Sequence, residues 1–393
     1  MSLENDDKKY LLQTYAKNYI SFTSGKNSVL YDEDGKDYID FGSGIAVCSV
    51  GHGNEELKNR LSAQLEKITH ISNLFVIEPQ VRLAKELALL SGFDMATFFA
   101  NSGAEANEAA IKIARKYGQE GGEQKRYKVI TLEHSFHGRT ISTLKATAQT
   151  SMHNYFGPYP DGFVYAKDID DIYTHIDEQT VAVMVELVQG EGGVAPLLKD
   201  KVQELAKELA KRDILLIVDE VQTGIYRTGE PLASNLYEIE PDIITLAKGL
   251  GGGVPIGAVM TKHKDTLAPG DHGSTFGGNY LSCEAGLCVL EILSAYKESG
   301  KLDEAMLYFS KKLEEVASRH TDLFESSVGI GFMRGLRTKD SDTVQKVVKS
   351  CLDQGLVVLK SGRNTVRFLP VLTVSKIEID RGFERFEKAI ASL

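Results

Sequence analysis

Short apolar segments alternate with amphipathic helical patterns along this chain, and that alternation limits the possible folds more than any other feature. Strands are predicted near residues 96–100, 127–132, 181–188, 214–218, 242–246 and 257–261. Helices are predicted near residues 54–69, 79–91, 103–117, 198–212, 281–298 and 301–319. Because a repeated strand–helix order produces parallel strands, we expect an α/β fold with a mostly parallel central sheet flanked by helices.

The last part of the chain has a different pattern. Helices near residues 340–353 and 376–391 flank two short apolar segments, "LVVLK" and "TVRFL". Each segment is long enough for one strand, and the strands are separated from the earlier series by helices. This order indicates a smaller α+β domain that packs on the first one.

Composition excludes several classes of protein. The 393 residues are 42% hydrophobic and carry a net charge of -10, from 45 basic and 55 acidic side chains, which leaves no basic surface for nucleic acid. The four cysteines form no CxxC pair, and His134 and His137 lack a third ligand nearby, so we expect no metal site. The polar start "MSLENDDKKYLLQ" lacks the features of a signal peptide, and no apolar run would span a membrane. We therefore expect a cytoplasmic protein with no membrane partner.

The segment "ILLIVDE" at 214–220 joins a fully apolar strand to two acids. The carboxyl end of a buried parallel strand is where open α/β folds place ligands, so Asp219 and Glu220 are expected to face a site. An ATPase would hold Mg²⁺ with such an acid, whereas a pyridoxal phosphate enzyme would pair it with the pyridinium nitrogen. No GxxxxGK[ST] loop accompanies it, and "GSGIAV" at 42–47 lacks the third glycine of a dinucleotide site. An ATPase or a cofactor-free binding protein is therefore the remote alternative.

A lysine ends a second apolar strand in "IITLAKGLGGGVPIGAV" at 243–259. The small residues after Lys248 leave room for a bulky group to approach the backbone. An isolated lysine before a turn is more often a solvated surface charge. A partly desolvated lysine has a lowered pKa and attacks carbonyl groups, as a Schiff base with pyridoxal phosphate requires.

A phosphate site is predicted in "ATFFANSGAEANEAAIKIARKYG" at 96–118. The strand breaks at Asn101 and Ser102, and the helix begins at Gly103, so free backbone N–H groups and the positive helix end would face a ligand. An ordinary helix cap is the alternative for this motif taken alone. Combined with Lys248, it gives Asp219 a function, which is to keep the pyridine nitrogen protonated. Gln222 in "DEVQTG" would reach the ring hydroxyl.

These motifs together resemble one family. "NSGAEANEAAIKIAR", "SFHGRT", "VELVQGEGG", "LLIVDEVQTG", "LAKGLGGGVPIGA" and "GSTFGGN" are similar, in this order, to the motifs of class III (subgroup II) pyridoxal phosphate aminotransferases. "TYAKNYISF" resembles the acetylornithine branch. The resemblance implies a fold type I enzyme that is a homodimer with active sites shared between subunits. It also implies an N-terminal segment of residues 1–50 that contributes to the small domain and the active-site entrance, a large cofactor-binding domain of residues 51–300, and a small domain of residues 301–393.

The resemblance assigns a role to each matching residue. Lys248 and Asp219 are catalytic, as the Schiff-base lysine and the pyridinium partner. The phosphate is held by Ser102, Gly103 and Ala104, and the two ring faces are covered by Phe136 and Val221. Gln222 contacts the ring hydroxyl, and Thr275 reaches the neighbouring subunit's phosphate. The substrate-binding residues are Arg139 for the distal carboxylate, Arg367 for the α-carboxylate of glutamate or 2-oxoglutarate, Glu191 as the partner of Arg367, and Ser274.

The implied reaction moves the δ-amino group of N2-acetyl-L-ornithine to 2-oxoglutarate by a ping-pong mechanism. The products are N-acetyl-L-glutamate 5-semialdehyde and L-glutamate, in arginine biosynthesis. Ornithine, succinylornithine, N-succinyl-diaminopimelate and 4-aminobutyrate aminotransferases share these motifs and are the alternatives. The chain departs from the usual family motifs at "GHGNE", at Leu187 and at "GGNYLSC", so the preferred amino donor stays open.

Overall fold

The computed structural model describes residues 3–119, 125–391 and 393. Numbered in chain order, the strands span β1 Phe22–Lys26, β2 Val29–Asp32, β3 Asp37–Asp40, β4 Ala96–Ala100, β5 Lys128–Leu132, β6 Phe163–Ala166, β7 Thr180–Val185, β8 Val188–Gln189, β9 Ala195–Pro196, β10 Leu215–Asp219, β11 Ile243–Leu246, β12 Gly257–Thr261, β13 Phe324–Ile330, β14 Met333–Thr338, β15 Leu356–Val357, β16 Leu359–Ser361 and β17 Thr365–Phe368.

The helices agree closely with the sequence pattern in the large unit. They span Leu3–Tyr10, Glu55–Leu65, Glu78–Ser91, Gly103–Gly118, Ile141–Ala146, Ile169–His175, Lys199–Lys211, Ala233–Tyr237, Tyr280–Glu298, Lys301–Arg319, Ser341–Asp353 and Lys376–Ile390. Residues 43–46 form a left-handed turn, in which Ser43, Gly44, Ile45 and Ala46 all have positive φ. None of the described helices is long and apolar enough to cross a membrane.

The central sheet has seven strands in the order β4-β12-β11-β10-β7-β5-β6. Strand β12 is antiparallel to both of its neighbours, and the other pairs are parallel. Because two reversals cancel, β4 runs in the same direction as β11. The carboxyl ends of β4, β11 and β10 therefore meet at one edge. The predicted α/β fold with a mostly parallel sheet is confirmed.

Helices cover both faces of the sheet, which explains why its strands are mostly apolar. Leu215 and Ile217 of β10 pack in the same core as Ile113 of the helix Gly103–Gly118. The intervening residues Leu216 and Val218 pack on the other side, with the helix Lys199–Lys211. Successive strand residues point to opposite faces, so a strand covered on both sides needs apolar residues on both of its faces.

Two four-stranded sheets lie outside the central sheet, in the orders β1-β2-β3-β15 and β13-β14-β17-β16. The first joins the two ends of the chain, because β3 pairs with β15. The sequence predicts one strand for the segment "LVVLK", and this prediction is wrong. The segment breaks at Val358 and contributes β15 and β16 to different sheets. The predicted strand 181–188 also ends early, at Val185, and the helix predicted at 54–69 ends at Leu65.

The helix Lys376–Ile390 packs on the N-terminal strands through a glycine. A Cβ atom on Gly382 would overlap the ring of Phe41, which is itself fully buried. Overpacking of a tight core costs about 1–3 kcal/mol. We therefore expect Gly382→Ala to lower the melting temperature by several degrees. Thermal unfolding monitored by circular dichroism measures this, with the exposed Glu384→Ala of the same helix as the control. Equal melting temperatures for the two variants would contradict the packing.

Candidate active site

A cavity of about 380 Å³ lies at the edge where the carboxyl ends of β4, β10 and β11 meet. This volume falls within the range of small-molecule sites, ~300–1,000 Å³. Residues that follow each strand line it, and Val47 reaches it from the N-terminal segment. The sequence-predicted residues in its lining are Ser102, Gly103, Ala104, Phe136, Arg139, Glu191, Asp219, Val221, Gln222 and Lys248.

Lys248 follows β11 and lines the cavity with its side chain. Desolvation lowers the pKa of the Lys248 amine, and the nearby charge of Arg367 lowers it further, whereas Glu191 opposes both. A lowered pKa increases the fraction of neutral amine, which is the nucleophilic form. The backbone of Lys248 has a φ of 42°, which places the residue in a tight left-handed turn.

Asp219 ends β10 and is only 4% exposed. Its Oδ2 accepts hydrogen bonds at 2.8 Å from both Asn107 Nδ2 and His137 Nδ1, and its Oδ1 accepts one from the backbone N–H of Val221 at 3.0 Å. Three chain segments therefore hold one carboxylate in a fixed position on the cavity wall. A carboxylate held in this way suits a hydrogen bond to a protonated ring nitrogen.

Glu220 does not face the cavity, so the expectation that both acids look into the site is wrong for this residue. Its carboxylate is buried and accepts hydrogen bonds from the backbone N–H groups of Ala233 and Ser234, at 2.6 and 2.8 Å, and from the Ser234 hydroxyl at 2.7 Å. Burial raises its pKa. Glu220 therefore holds the start of the helix Ala233–Tyr237.

The helix Gly103–Gly118 begins on the cavity wall. Ser102 caps it, because its hydroxyl accepts a hydrogen bond from the Glu105 N–H at 3.2 Å. The first N–H groups of a helix have no partner within the helix and attract anions such as phosphate. A Cβ on Gly103 would lie 2.7 Å from a Val221 methyl carbon, so only glycine lets the helix start approach this side of the cavity.

The predicted substrate arginines differ in position: Arg139 lines the cavity, whereas Arg367 lies behind the wall and contacts the lining residues Glu191 and Gln222. Arg139 is exposed, and its guanidinium carbon lies 5.5 Å from the ring centroid of Phe136. Arg367 is 2% exposed, and its Nη1 donates to Glu191 Oε1 at 2.6 Å and to the Gly190 carbonyl at 3.1 Å. The site therefore places one cation at its opening and another in a buried ion pair.

Ser274 and Thr275 are not brought into this cavity. They line a separate groove formed with residues 70–99 and 269–277. Ser274 nevertheless lies close to the cavity, because its hydroxyl accepts a hydrogen bond at 3.2 Å from Asn101, which lines the cavity wall. Thr275 has no place in the site of its own chain.

Sequence reasoning missed several residues that line the cavity, among them the polar side chains of Asn107, His137 and Glu186. Asn107 lies one helical turn after Gly103, so the helical period predicts that both residues face the same side of the helix and line the cavity together. His137 was weighed only as a metal ligand, and within the described residues no group of three or more His, Cys, Asp or Glu side chains could hold a metal. Glu186 belongs to "VELVQGEGG", and nothing in that motif alone shows that it reaches the cavity.

The fold and the site define a pyridoxal phosphate enzyme. A buried carboxylate, a desolvated lysine and a helix N-terminus enclose one cavity, and these groups fit the ring nitrogen, the aldehyde and the phosphate of that cofactor. The family description "Aminotransferase class-III" matches residues 12–390. The chain therefore belongs to the class-III aminotransferases and is a pyridoxal-phosphate-dependent transaminase.

Individual relatives cover nearly the whole chain. The acetylornithine aminotransferase of Wolinella succinogenes is 58% identical over 388 residues, which are 98% of this chain and 99% of that protein. The acetylornithine/succinyldiaminopimelate aminotransferase of Buchnera aphidicola is 42% identical, covering 93% of this chain and 91% of its own length. The solved ornithine aminotransferase of Toxoplasma gondii, described with partial occupancy of PLP at its active site, has a TM-score of 0.92 and 30% identity over 99% of this chain and 94% of that one.

Lys248 is the predicted attachment point of the cofactor. We expect Lys248→Ala to fold normally but to form no covalent bond with pyridoxal phosphate, because the cavity then lacks its amine. Reduction of the holoenzyme with borohydride, followed by peptide mapping, locates the modified residue. Lys262→Ala is the matched control, since Lys262 is exposed and pairs with Asp242 at 2.9 Å on the same sheet. A label on any residue other than Lys248 would contradict the assignment.

Proposed function

We propose that this transaminase transfers the δ-amino group of N2-acetyl-L-ornithine to 2-oxoglutarate, producing N-acetyl-L-glutamate 5-semialdehyde and L-glutamate. The observation that carries the proposal is that Arg139 lines the cavity while the buried Arg367 lies behind the wall, bound to the lining residue Glu191. Such a site holds a substrate by a distant carboxylate in one half-reaction and by a near carboxylate in the other. The reaction belongs to arginine biosynthesis, and we place it in the cytoplasm.

We propose the cofactor-binding roles that the family resemblance implies, and the positions of the side chains on the cavity wall support them. When bound, pyridoxal phosphate supplies an electron-withdrawing ring that stabilises negative charge on the substrate carbon. Asp219 would bond to the ring nitrogen and Gln222 to the ring hydroxyl. Phe136 and Val221 would cover the two faces of the ring. The phosphate would bind at the helix start formed by Ser102, Gly103 and Ala104.

Lys248 has a second role in the proposed reaction. With the cofactor and substrate bound, the Lys248 Nζ would move a proton to and from the substrate carbon. A general base works best when its pKa is near the working pH, and desolvation lowers the pKa of Lys248 in that direction. The same burial therefore serves both attachment and proton transfer.

Substrate selection depends on the two arginines. Acetylornithine reacts through its δ-amine, so its carboxylate extends outward to Arg139 while Glu191 keeps Arg367 neutralised. Glutamate and 2-oxoglutarate need Arg367 for the α-carboxylate, so Glu191 must move away. A planar guanidinium binds carboxylates through paired hydrogen bonds, which suits both positions. Glu191 thus acts as a gate between the two substrate classes.

We propose a homodimer with shared sites, in which Thr275 reaches the phosphate of the neighbouring subunit. An apolar surface formed by Leu74, Phe75, Val76 and Phe276 supports this, since these side chains are 60–89% exposed. Asn73 joins the two segments by donating to the carbonyls of Ser274 and Gly277. Exposed apolar patches of this kind mark interaction surfaces. The domain bounds 1–50, 51–300 and 301–393 are part of the same proposal.

N-succinyl-diaminopimelate is the second candidate donor, and the name of the Buchnera relative favours it. Its reacting amine is α to one carboxylate and several carbons from a second one, so Arg367 would bind the near carboxylate and Arg139 the distant one. Ornithine, succinylornithine and 4-aminobutyrate remain chemical alternatives. Ser274 and Thr275 belong to the proposed dimer surface, and they do not distinguish among these amino donors.

A panel of amino donors tests the proposed function. We expect the holoenzyme to react fastest with acetylornithine, measured as kcat/KM with 2-oxoglutarate as acceptor. Succinylornithine and N-succinyl-diaminopimelate are expected to follow, and ornithine and 4-aminobutyrate to be poor donors. A preference for ornithine or 4-aminobutyrate over acetylornithine would reject the proposal.

The gate predicts selective losses in the two half-reactions. Truncating one partner of a buried charge pair costs ~2–5 kcal/mol, or about thirty-fold to several thousand-fold in rate. Arg367→Ala should therefore slow mainly the glutamate half-reaction, and Arg139→Ala mainly the acetylornithine one. Glu191→Ala should favour direct α-amino donors, because Arg367 is then permanently free. Single-turnover kinetics of each half-reaction measure these effects.

Arg334 provides the control for the gate experiment. It lies on β14, next to β17, and pairs with Glu314 at 3.4 Å outside the cavity. Arg334→Ala should change the two half-reactions equally if it changes them at all. Equal losses in both half-reactions for Arg367→Ala would rule out the gate.

A further inference from the structure

Glu186 is a buried carboxylate on the cavity wall that the proposed reaction does not use. It follows β7 and is 6% exposed. Its Oε2 accepts a hydrogen bond from the backbone N–H of Phe136 at 3.0 Å, and its Oε1 accepts one from the backbone N–H of Gly190 at 3.3 Å. The two oxygen atoms thus connect two separate chain segments.

A carboxylate in this position is costly. Burial raises the pKa of Glu186 to about 7, and the neighbouring charge of Asp219 adds to the increase, while His137 opposes it. Burial of an acid beside another acid destabilises the ionised form. Ionisable groups that are retained in a cavity at such a cost are candidates for a functional role.

The two segments that Glu186 joins have different tasks in the proposed reaction. One carries Phe136, which covers a face of the cofactor ring. The other carries Gly190, whose carbonyl accepts hydrogen bonds from Arg367 Nη1 at 3.1 Å and from the Ser361 hydroxyl at 2.7 Å. Glu191, the next residue, binds Arg367 directly. Gly190 therefore connects Glu186 to both members of the gate: it precedes Glu191 in the chain and binds Arg367 through its carbonyl.

We propose that Glu186 is a positioning residue: by holding the backbone of Phe136 and of Gly190 with one side chain, it fixes the gate pair Glu191–Arg367 relative to the cofactor ring. The inference rests on the proposed function for the gate, and on the fold alone for the contact with Phe136. Glu186 contacts neither the reacting atoms nor the substrate carboxylate. It sets the distance over which Glu191 must move and keeps Arg367 aligned with the ring.

Glu186→Gln tests the proposal with little change in side-chain size. A glutamine offers one oxygen acceptor, and its NH₂ group faces the second N–H, so one of the two amides loses its partner. We expect a weaker visible circular dichroism band of bound pyridoxal phosphate, because the ring is less firmly oriented. The glutamate half-reaction should slow about tenfold in single turnover, as for an unsatisfied buried donor, and the acetylornithine half-reaction should change less than threefold.

Glu220→Gln is the matched control. Glu220 is also fully buried and also accepts backbone hydrogen bonds, but it holds the helix start at Ala233 and lies outside the cavity lining. Both variants should melt at a lower temperature than the wild type. Only Glu186→Gln should alter the cofactor band and the ratio of the two half-reactions. If both variants keep the wild-type band and the wild-type ratio, Glu186 is merely structural and the proposal is wrong.

Glu186→Asp keeps the test decisive should Glu186→Gln fail to fold. Its carboxylate is shorter by one carbon and reaches one amide only, so the same band and ratio should change in the same direction. An unchanged band and ratio would overturn the proposal here as well. The cofactor band does not depend on the amino donor. Absence of activity with acetylornithine would therefore reject the proposed function, while the band and the glutamate half-reaction would still decide the role of Glu186.

Discussion

The hydrogen bonds to the Asp219 carboxylate determine how the rest of the site is arranged. Asn107 comes from the helix Gly103–Gly118 and His137 from the segment after β5, yet both donate to the same oxygen at 2.8 Å. A buried carboxylate is stable only when such donors surround it. The helix that starts at Gly103 is thereby fixed at both ends of the cavity, by its N-terminus at the phosphate side and by Asn107 at the acid. The distance between the helix start and the Asp219 carboxylate is therefore fixed, and it sets the proposed position of the cofactor ring between them.

Several further charges are buried, and backbone groups stabilise most of them. Glu220 accepts two backbone N–H groups, and Glu186 accepts two more. Arg227, whose pKa burial lowers to about 9, donates to the carbonyls of Phe332 and Pro370. Arg227 thereby links the segment after β10 to the C-terminal part of the chain, whereas Glu186 and Glu220 hold segments that follow β7 and β10. Such networks are rigid, which is what a pre-organised site needs.

The sequence predicted the central sheet well and the outer sheets poorly, for a physical reason. Strands buried on both faces are apolar at nearly every position, as in β7 and β10, and they are easily recognised. The strand β13 is different: it is exposed at Glu325 and Ser326 and contains Gly329, so its pattern resembles a loop. The break at Val358 was also invisible, because both halves of "LVVLK" are apolar. Pairing partners far away in sequence decide where such strands end.

The site residues show the same division. Lys248, Asp219 and the helix start at Gly103 were found because each ends or follows a strand at the sheet edge. Which of two adjacent acids faces the cavity depends on side-chain direction, so Glu220 was assigned wrongly. Asn107, His137 and Glu186 act through contacts with segments far apart in the chain, and no local pattern reveals such contacts. Thr275 lies in a separate groove outside the cavity of its own chain.

The proposed gate also affects the catalytic amine. Glu191 raises the pKa of Lys248 and Arg367 lowers it, in addition to the larger effect of desolvation. If Glu191 moved away with nothing in its place, the unpaired guanidinium would lower the pKa of Lys248 further. In the proposed mechanism the α-carboxylate of glutamate takes the position of Glu191 beside Arg367. Lys248 therefore faces an arginine–carboxylate pair in both half-reactions, and its amine keeps a similar basicity although the two substrates bind in different ways.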